Sequence, residues 1–150
     1  MRFVGGTSRR GRPIDIGELE KSIRTICETH TIVLAYLFGS YATGTPGILS
    51  DIDIAVLARE PLDWRVLVRI AGDLAGLLED EAIGLVDLAH APDHLAHRVL
   101  RDGMCLYAKD LPTRIDYEVA VEMRYGDAEP LRREYLRALE RRIEDGTFGH

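Results

Sequence analysis

The stretch GSYATGTPGILSDIDIAV, Gly39 to Val56, couples a glycine-led bend to an acidic pair that opens an apolar strand. Asp51 and Asp53 are two residues apart, so on a strand their carboxylates project from one face. Ile52, Ile54 and Val56 then point to the opposite face and anchor the strand in the core. Two neighbouring carboxylates repel each other unless a cation lies between them. Hard oxygen ligands of this kind suit Mg²⁺, which keeps some waters and takes substrate phosphates as further ligands. Two such ions roughly 3.5–4 Å apart stabilise both the attacking and the leaving oxygen of a phosphoryl displacement. Upstream, Gly39 lets the backbone approach a ligand closely. Ser40 adds a hydroxyl, and the N–H groups that follow form a natural anion seat. The pattern is that of a triphosphate site.

On the N-terminal side of this stretch, Thr31 to Phe38 (TIVLAYLF) is almost uniformly apolar and reads as a strand covered on both faces. Before it, Leu19, Ile23, Ile26 and Cys27 share a face, which predicts a helix over 16–29 capped by Asp15, with Glu18 in capping-box spacing. Residues 1–13, rich in Gly, Ser and Arg, read as a flexible basic tail. On the C-terminal side, residues 51–57 form the second strand and 63–79 carry helical apolar spacing. Ile83 to Ala89 is a third strand. Pro92 suits the first turn of a helix running to Arg101, and Met104 to Tyr107 is a short fourth strand. From Thr113 a helix is expected with Ile115, Val119 and Met123 inward, followed after Gly126 and Pro130 by a charged helix over 131–144. This order predicts an α/β (α+β) domain with one small mixed four-stranded sheet flanked by helices. We divide it into a nucleotide-handling domain over 14–110 and a C-terminal helical extension over 111–150.

The chain has 150 residues, 46% of them hydrophobic and 29% charged, in the range of a soluble globular domain. No apolar run approaches the roughly 18 residues of a membrane span, and the N-terminus lacks the apolar region of a secretory signal. A cytoplasmic protein is expected. The net charge of −6 leaves no broad basic patch to neutralise nucleic-acid phosphates. Cys27 and Cys105 lie in apolar segments without metal-ligand spacing and read as small buried hydrophobes rather than a disulfide or zinc site.

Gly-Ser, ten intervening residues and Asp-x-Asp opening an apolar strand resembles the signature of the DNA polymerase β-type nucleotidyltransferases. The likeness extends through AYLFGSYATG, SDIDIAVL, GLVDLAHAP and VLRDGMCLYAKD. Over about residues 16–125 the chain resembles the minimal nucleotidyltransferase (MNT) antitoxins encoded beside HEPN-domain toxins. That resemblance implies ATP as substrate, Mg²⁺ as cofactor (two ions), and transfer of AMP to a tyrosine near the RNase site of a HEPN toxin, which silences it. It also implies a third carboxylate from a later strand. Asp87 is the only acid in Ile83–Ala89 and is the candidate, as metal ligand or as base toward the acceptor hydroxyl. Many relatives carry an additional Asp where this chain has Gly84.

The expected site is therefore Asp51, Asp53 and Asp87 for metal and catalysis, with Gly39 and Ser40 at the phosphates. His90, His94 and His97 lack the companion ligands of a zinc site. Arg101 reads as a surface salt-bridge partner, Tyr36 as core, and Thr43 and Ser50 as supporting hydrogen-bonders. The stripe Leu131, Tyr135, Leu136, Leu139 and Ile143 packs on its own domain, or docks a toxin or a second copy of the chain. Two other functions fit parts of the pattern: a non-catalytic antitoxin that caps its toxin, and a nucleotidyltransferase acting on a small hydroxyl compound. The latter usually carries a further helical domain for its acceptor, whereas only about 40 residues follow the fourth strand here.

Overall fold

A computed structural model of the chain describes residues 3–7, 13–39, 52–78, 83–126 and 129–144. The elements are β1 (Phe3–Thr7), β2 (Pro13–Asp15), α1 (Ile16–His30), β3 (Ile32–Phe38), β4 (Ile52–Ala58), α2 (Trp64–Leu78), β5 (Ile83–Asp87), α3 (Asp93–Asp102), β6 (Met104–Ala108), α4 (Leu111–Tyr125) and α5 (Glu129–Glu144). The main sheet has the order β5-β4-β3-β6. Its β4–β5 pair is parallel, and β3 runs antiparallel to both β4 and β6. The mixed four-stranded sheet expected from the sequence is present.

β3 is central and buries its first six residues, which explains why its sequence lacks alternation. One face of the sheet (Ala35, Leu37, Ile52, Ile54, Val56) packs on Leu19, Ile23, Ile26 and Cys27 of α1 and on Ile70 and Leu74 of α2. The other face (Leu34, Tyr36, Ala55) packs on Val99 and Leu95 of α3 and on Tyr117 of α4. Each fully buried Leu or Ile in these layers contributes about 1.5–3 kcal/mol relative to exposure. Helix α1 begins where expected: the Asp15 side chain accepts a hydrogen bond from the Gly17 N–H at 2.8 Å. It ends at Thr31, whose φ of 57° turns the chain into β3.

Two expectations are corrected. Part of the N-terminal stretch read as a tail is a strand: Phe3 and Val4 pair antiparallel with Asp15 and Ile14. The β-favouring Phe3, Val4 and Ile14 outweigh Gly5 and Gly6 within the first strand. In α4 the face toward the sheet is Glu118, Val121 and Glu122, all buried, whereas Met123 is exposed. Ile115, Val119 and Met123 instead line a groove shared with Tyr135, Leu136 and Leu139 of α5. The two glutamates are tolerated inside because each is paired. Glu118 accepts from the Tyr36 hydroxyl at 2.7 Å and from Arg114 Nε at 2.9 Å. A Glu122 oxygen lies 2.7 Å from His97 Nδ1. The groove gives Tyr135, Leu136 and Leu139 of α5 a partner on their own domain, although Leu136 stays about half exposed.

Candidate nucleotide site

The end of β3 and the start of β4 lie side by side, with Phe38 in register with Asp53. On the other side of β4, Asp53 is in register with Gly84 of β5. Registered residues share a face, so Asp53 stands on the α3–α4 side of the sheet, flanked by one strand end and one glycine. Gly39 follows directly on Phe38 with φ of 76°, a left-handed conformation that side chains disfavour. A Cβ on Gly39 would collide with Oδ2 of Asp53, and a Cβ on Gly84 would lie 2.7 Å from its Oδ1. The Asp53 carboxyl thus lies close against both glycines.

The predicted residues divide into three groups. Gly39 and Asp53 are brought together. Asp51 and Ser40, like Thr43 and Ser50, lie outside the described residues. Asp87 is not brought to Asp53. It is in register with Val56, three residues beyond the Asp53–Gly84 pair, or about 10 Å along the strand. Alternation also puts it on the opposite sheet face, the one to which Leu85 and Val56 belong. Its carboxylate is committed to the turn after β5, accepting from the Ala89 N–H at 3.0 Å and lying 2.9 Å from His90 Nδ1. Among the described residues no three His, Cys, Asp or Glu side chains converge on one point.

The donor chemistry fits a hard divalent cation. Asp53 offers carboxylate oxygens that lie close against two glycines, and Asp51 precedes it by two residues. The position across from Asp53 supplies no side chain, since it is Gly84.

The other candidates take structural roles. His97 stacks on Tyr125 with ring centroids 3.8 Å apart while pairing with Glu122, and His94 is exposed. Arg101 is exposed and grips Asp102 through two bonds of 2.9 and 3.0 Å. Tyr36 is buried, and burial together with the adjacent Glu118 carboxylate raises its hydroxyl well above the ordinary tyrosine range. Cys27 is buried and Cys105 half-buried, both as free thiols. Sequence reasoning missed the Glu118 and Glu122 pairings. Their i, i+4 spacing beside Val121 was the available signal, hidden because charged residues are ordinarily assigned to the solvent face.

Comparison with known proteins identifies the family of the fold. The model of the polymerase β nucleotidyltransferase family matches residues 21–111. The chain belongs to that family. Among curated relatives, it is 45% identical over 74 residues to the protein adenylyltransferase MntA of Shewanella oneidensis, covering 49% of this chain and 52% of that one. The match therefore spans about half the length of that relative. To MntA of Aphanizomenon flos-aquae it is 37% identical over 103 residues, covering 61% of this chain and 68% of the relative. Among solved structures, a toxin–antitoxin complex with AMP-PNP superimposes with a TM-score of 0.64 at 31% identity, covering 87% of this chain and 98% of that one. The Shewanella oneidensis MNT antitoxin in complex with tri-AMPylated HEPN toxin gives a TM-score of 0.61 at 28% identity, covering 90% and 100%.

Proposed function

We propose that this member of the polymerase β nucleotidyltransferase family is a Mg²⁺-dependent protein adenylyltransferase. In this reading it transfers AMP from ATP to a tyrosine of a HEPN-type RNase toxin and so acts as its antitoxin. The observation that carries it is the Asp53 carboxyl seated between Gly39 and Gly84 at the end of the sheet, two residues after Asp51. Relatives named protein adenylyltransferase, and solved complexes with AMP-PNP and with an AMPylated HEPN toxin, support the substrate and the partner.

Asp51 and Asp53 are the residues that would hold the metal, with the Gly39–Ser40 backbone and the Ser40 hydroxyl against the phosphates. When bound, Mg²⁺ supplies charge neutralisation of the triphosphate and of the leaving pyrophosphate. The phenol oxygen of the acceptor forms a bond to the α-phosphorus as the bond to pyrophosphate breaks. Pyrophosphate leaves with that electron pair, and the phenol proton passes to solvent. Asp87 takes no part in this scheme. No helix among the described residues is long and apolar enough to cross a membrane.

The experiment is incubation of the chain with labelled ATP, Mg²⁺ and the HEPN protein encoded beside it. Label should appear on a toxin tyrosine with the wild type and be absent with Asp51→Asn/Asp53→Asn. Equal labelling by both proteins overturns the proposal. A second reading, neutralisation by capping without chemistry, is favoured by one observation: among the described residues no group of three His, Cys, Asp or Glu side chains could hold a metal ion. Full protection of cells by the double-Asn variant decides for it.

A further inference from the structure

Helix α2 turns Ile70 and Leu74 into the core and leaves Trp64, Val68 and Leu77 at 67%, 62% and 51% exposure. Trp64, Val68, Gly72 and Gly76 follow at intervals of four and form one ridge across its solvent face. A Cβ on Gly72 or Gly76 would meet no described atom within 4 Å. No described contact within the chain therefore requires glycine there, and glycine is the poorest helix former after proline. Bare backbone on a helix ridge admits close approach from outside. The ridge is also self-complementary. Its two bulky members and its two small ones stand symmetrically about residue 70. An antiparallel crossing thus sets Trp64 and Val68 of one copy over Gly76 and Gly72 of another. The adjacent ridge holds Arg65, Arg69 and Asp73, and the same crossing brings Arg69 of each copy to Asp73 of the other. Arg69 is exposed and makes no ion pair among the described residues, while the Asp73 side chain is 50% exposed with His30 at 3.4 Å. Shape and charge match in one register.

We propose that the exposed face of α2 is a self-association surface, through which two copies of this chain pair as an antiparallel α2–α2 dimer about a twofold axis near residue 70. The occupant is a second copy because the bulky, small and oppositely charged positions that fit one another all lie on this one helix. A single crossing of 15-residue helices is smaller than the roughly 800 Å² per partner of a standard interface, which sets the dimer in the micromolar range. The inference is independent of the proposed chemistry, since α2 covers the sheet face opposite to Asp53.

The test is sedimentation velocity of the full chain over a concentration series, with thermal melting by circular dichroism as the control for folding. The wild type is expected to pass from monomer to dimer across roughly micromolar concentrations. G72L/G76L fills the space that Trp64 and Val68 of the other copy enter. It is expected to stay monomeric and to melt no lower than the wild type, since leucine is the better helix former and meets no described neighbour. R69D sets acid against acid and is expected to weaken dimerisation about 10-fold or more, with R69D/D73R restoring it. Should G72L/G76L melt below the wild type, the charge pair decides alone; no recovery in R69D/D73R overturns the proposal. A wild type that stays monomeric throughout the series overturns it, as does a dimer that persists in a folded G72L/G76L. A monomeric wild type whose W64A/V68A variant no longer binds the HEPN protein encoded beside it gives the face to that protein, and also overturns self-association.

Discussion

Replacing Glu118 with alanine removes the acceptor that holds α4 against the centre of the sheet. Glu118 is 4% exposed and accepts from the Tyr36 hydroxyl at 2.7 Å and from Arg114 Nε at 2.9 Å. Tyr36 is 2% exposed, so its hydroxyl would be left buried without a partner, at a cost of about 1–3 kcal/mol. The Arg114 side chain is 39% exposed and can turn to water, so losing that pair adds only about 0–1 kcal/mol. Together the loss is about 1–4 kcal/mol, or roughly 2–16 °C in melting temperature for a domain of this size. Urea unfolding of the wild type, Glu118→Ala, Tyr36→Phe and the double variant measures it. The double variant should be less destabilised than the two single losses summed, by about 1 kcal/mol or more, since removing the hydroxyl removes the orphan. A Glu118→Ala loss under about 0.5 kcal/mol, or strict additivity, refutes the reasoning.

Asp87→Ala should lower stability by about 1–2 kcal/mol through loss of its turn bonds, while AMP transfer stays within a few-fold of wild type; lost transfer by a folded variant would return Asp87 to the site. Gly39→Ala should cost about 1–2 kcal/mol from its left-handed backbone and abolish nucleotide binding by displacing Asp53, with calorimetry and melting as the paired assays. Burial pushes the Cys27 thiol up from 9.0 to about 12 and the Tyr117 hydroxyl from 10.0 to about 12. Both groups favour the folded state while neutral. Their contribution is therefore complete below pH 9 and is lost as pH rises from 9 toward 12. Urea midpoints should be flat from pH 7 to 9 and fall above it, less steeply in Cys27→Ala; identical slopes in the two proteins contradict the assignment.

Where the sequence was informative, it was so for physical reasons. The uniform apolar run 32–38, short and rich in β-branched and aromatic residues, reads as a strand covered twice, and the alternation of Asp53 with Ile52, Ile54 and Val56 fixes which face carries acid. The same alternation, joined to the parallel register of β4 and β5, puts Asp87 on the wrong face. That register is a tertiary fact, set by the pairing of Ile52 with Ile83, and no local pattern states it. The inward face of α4 was hidden for a related reason. Glu118 and Glu122 look like solvent residues until Tyr36, Arg114 and His97 arrive from elsewhere in the chain. The β1–β2 pairing rests on a contact between segments too short to carry a period of their own.

The most direct measurement is a crystal structure of the chain with Mg²⁺ and AMP-PNP. Metal density about 2.1 Å from a carboxylate oxygen of Asp53, with the nucleotide phosphates over the Gly39 bend and nothing at Asp87, is the predicted result. Nucleotide bound elsewhere, or a metal held by Asp87 and His90 with Asp53 turned away, contradicts it.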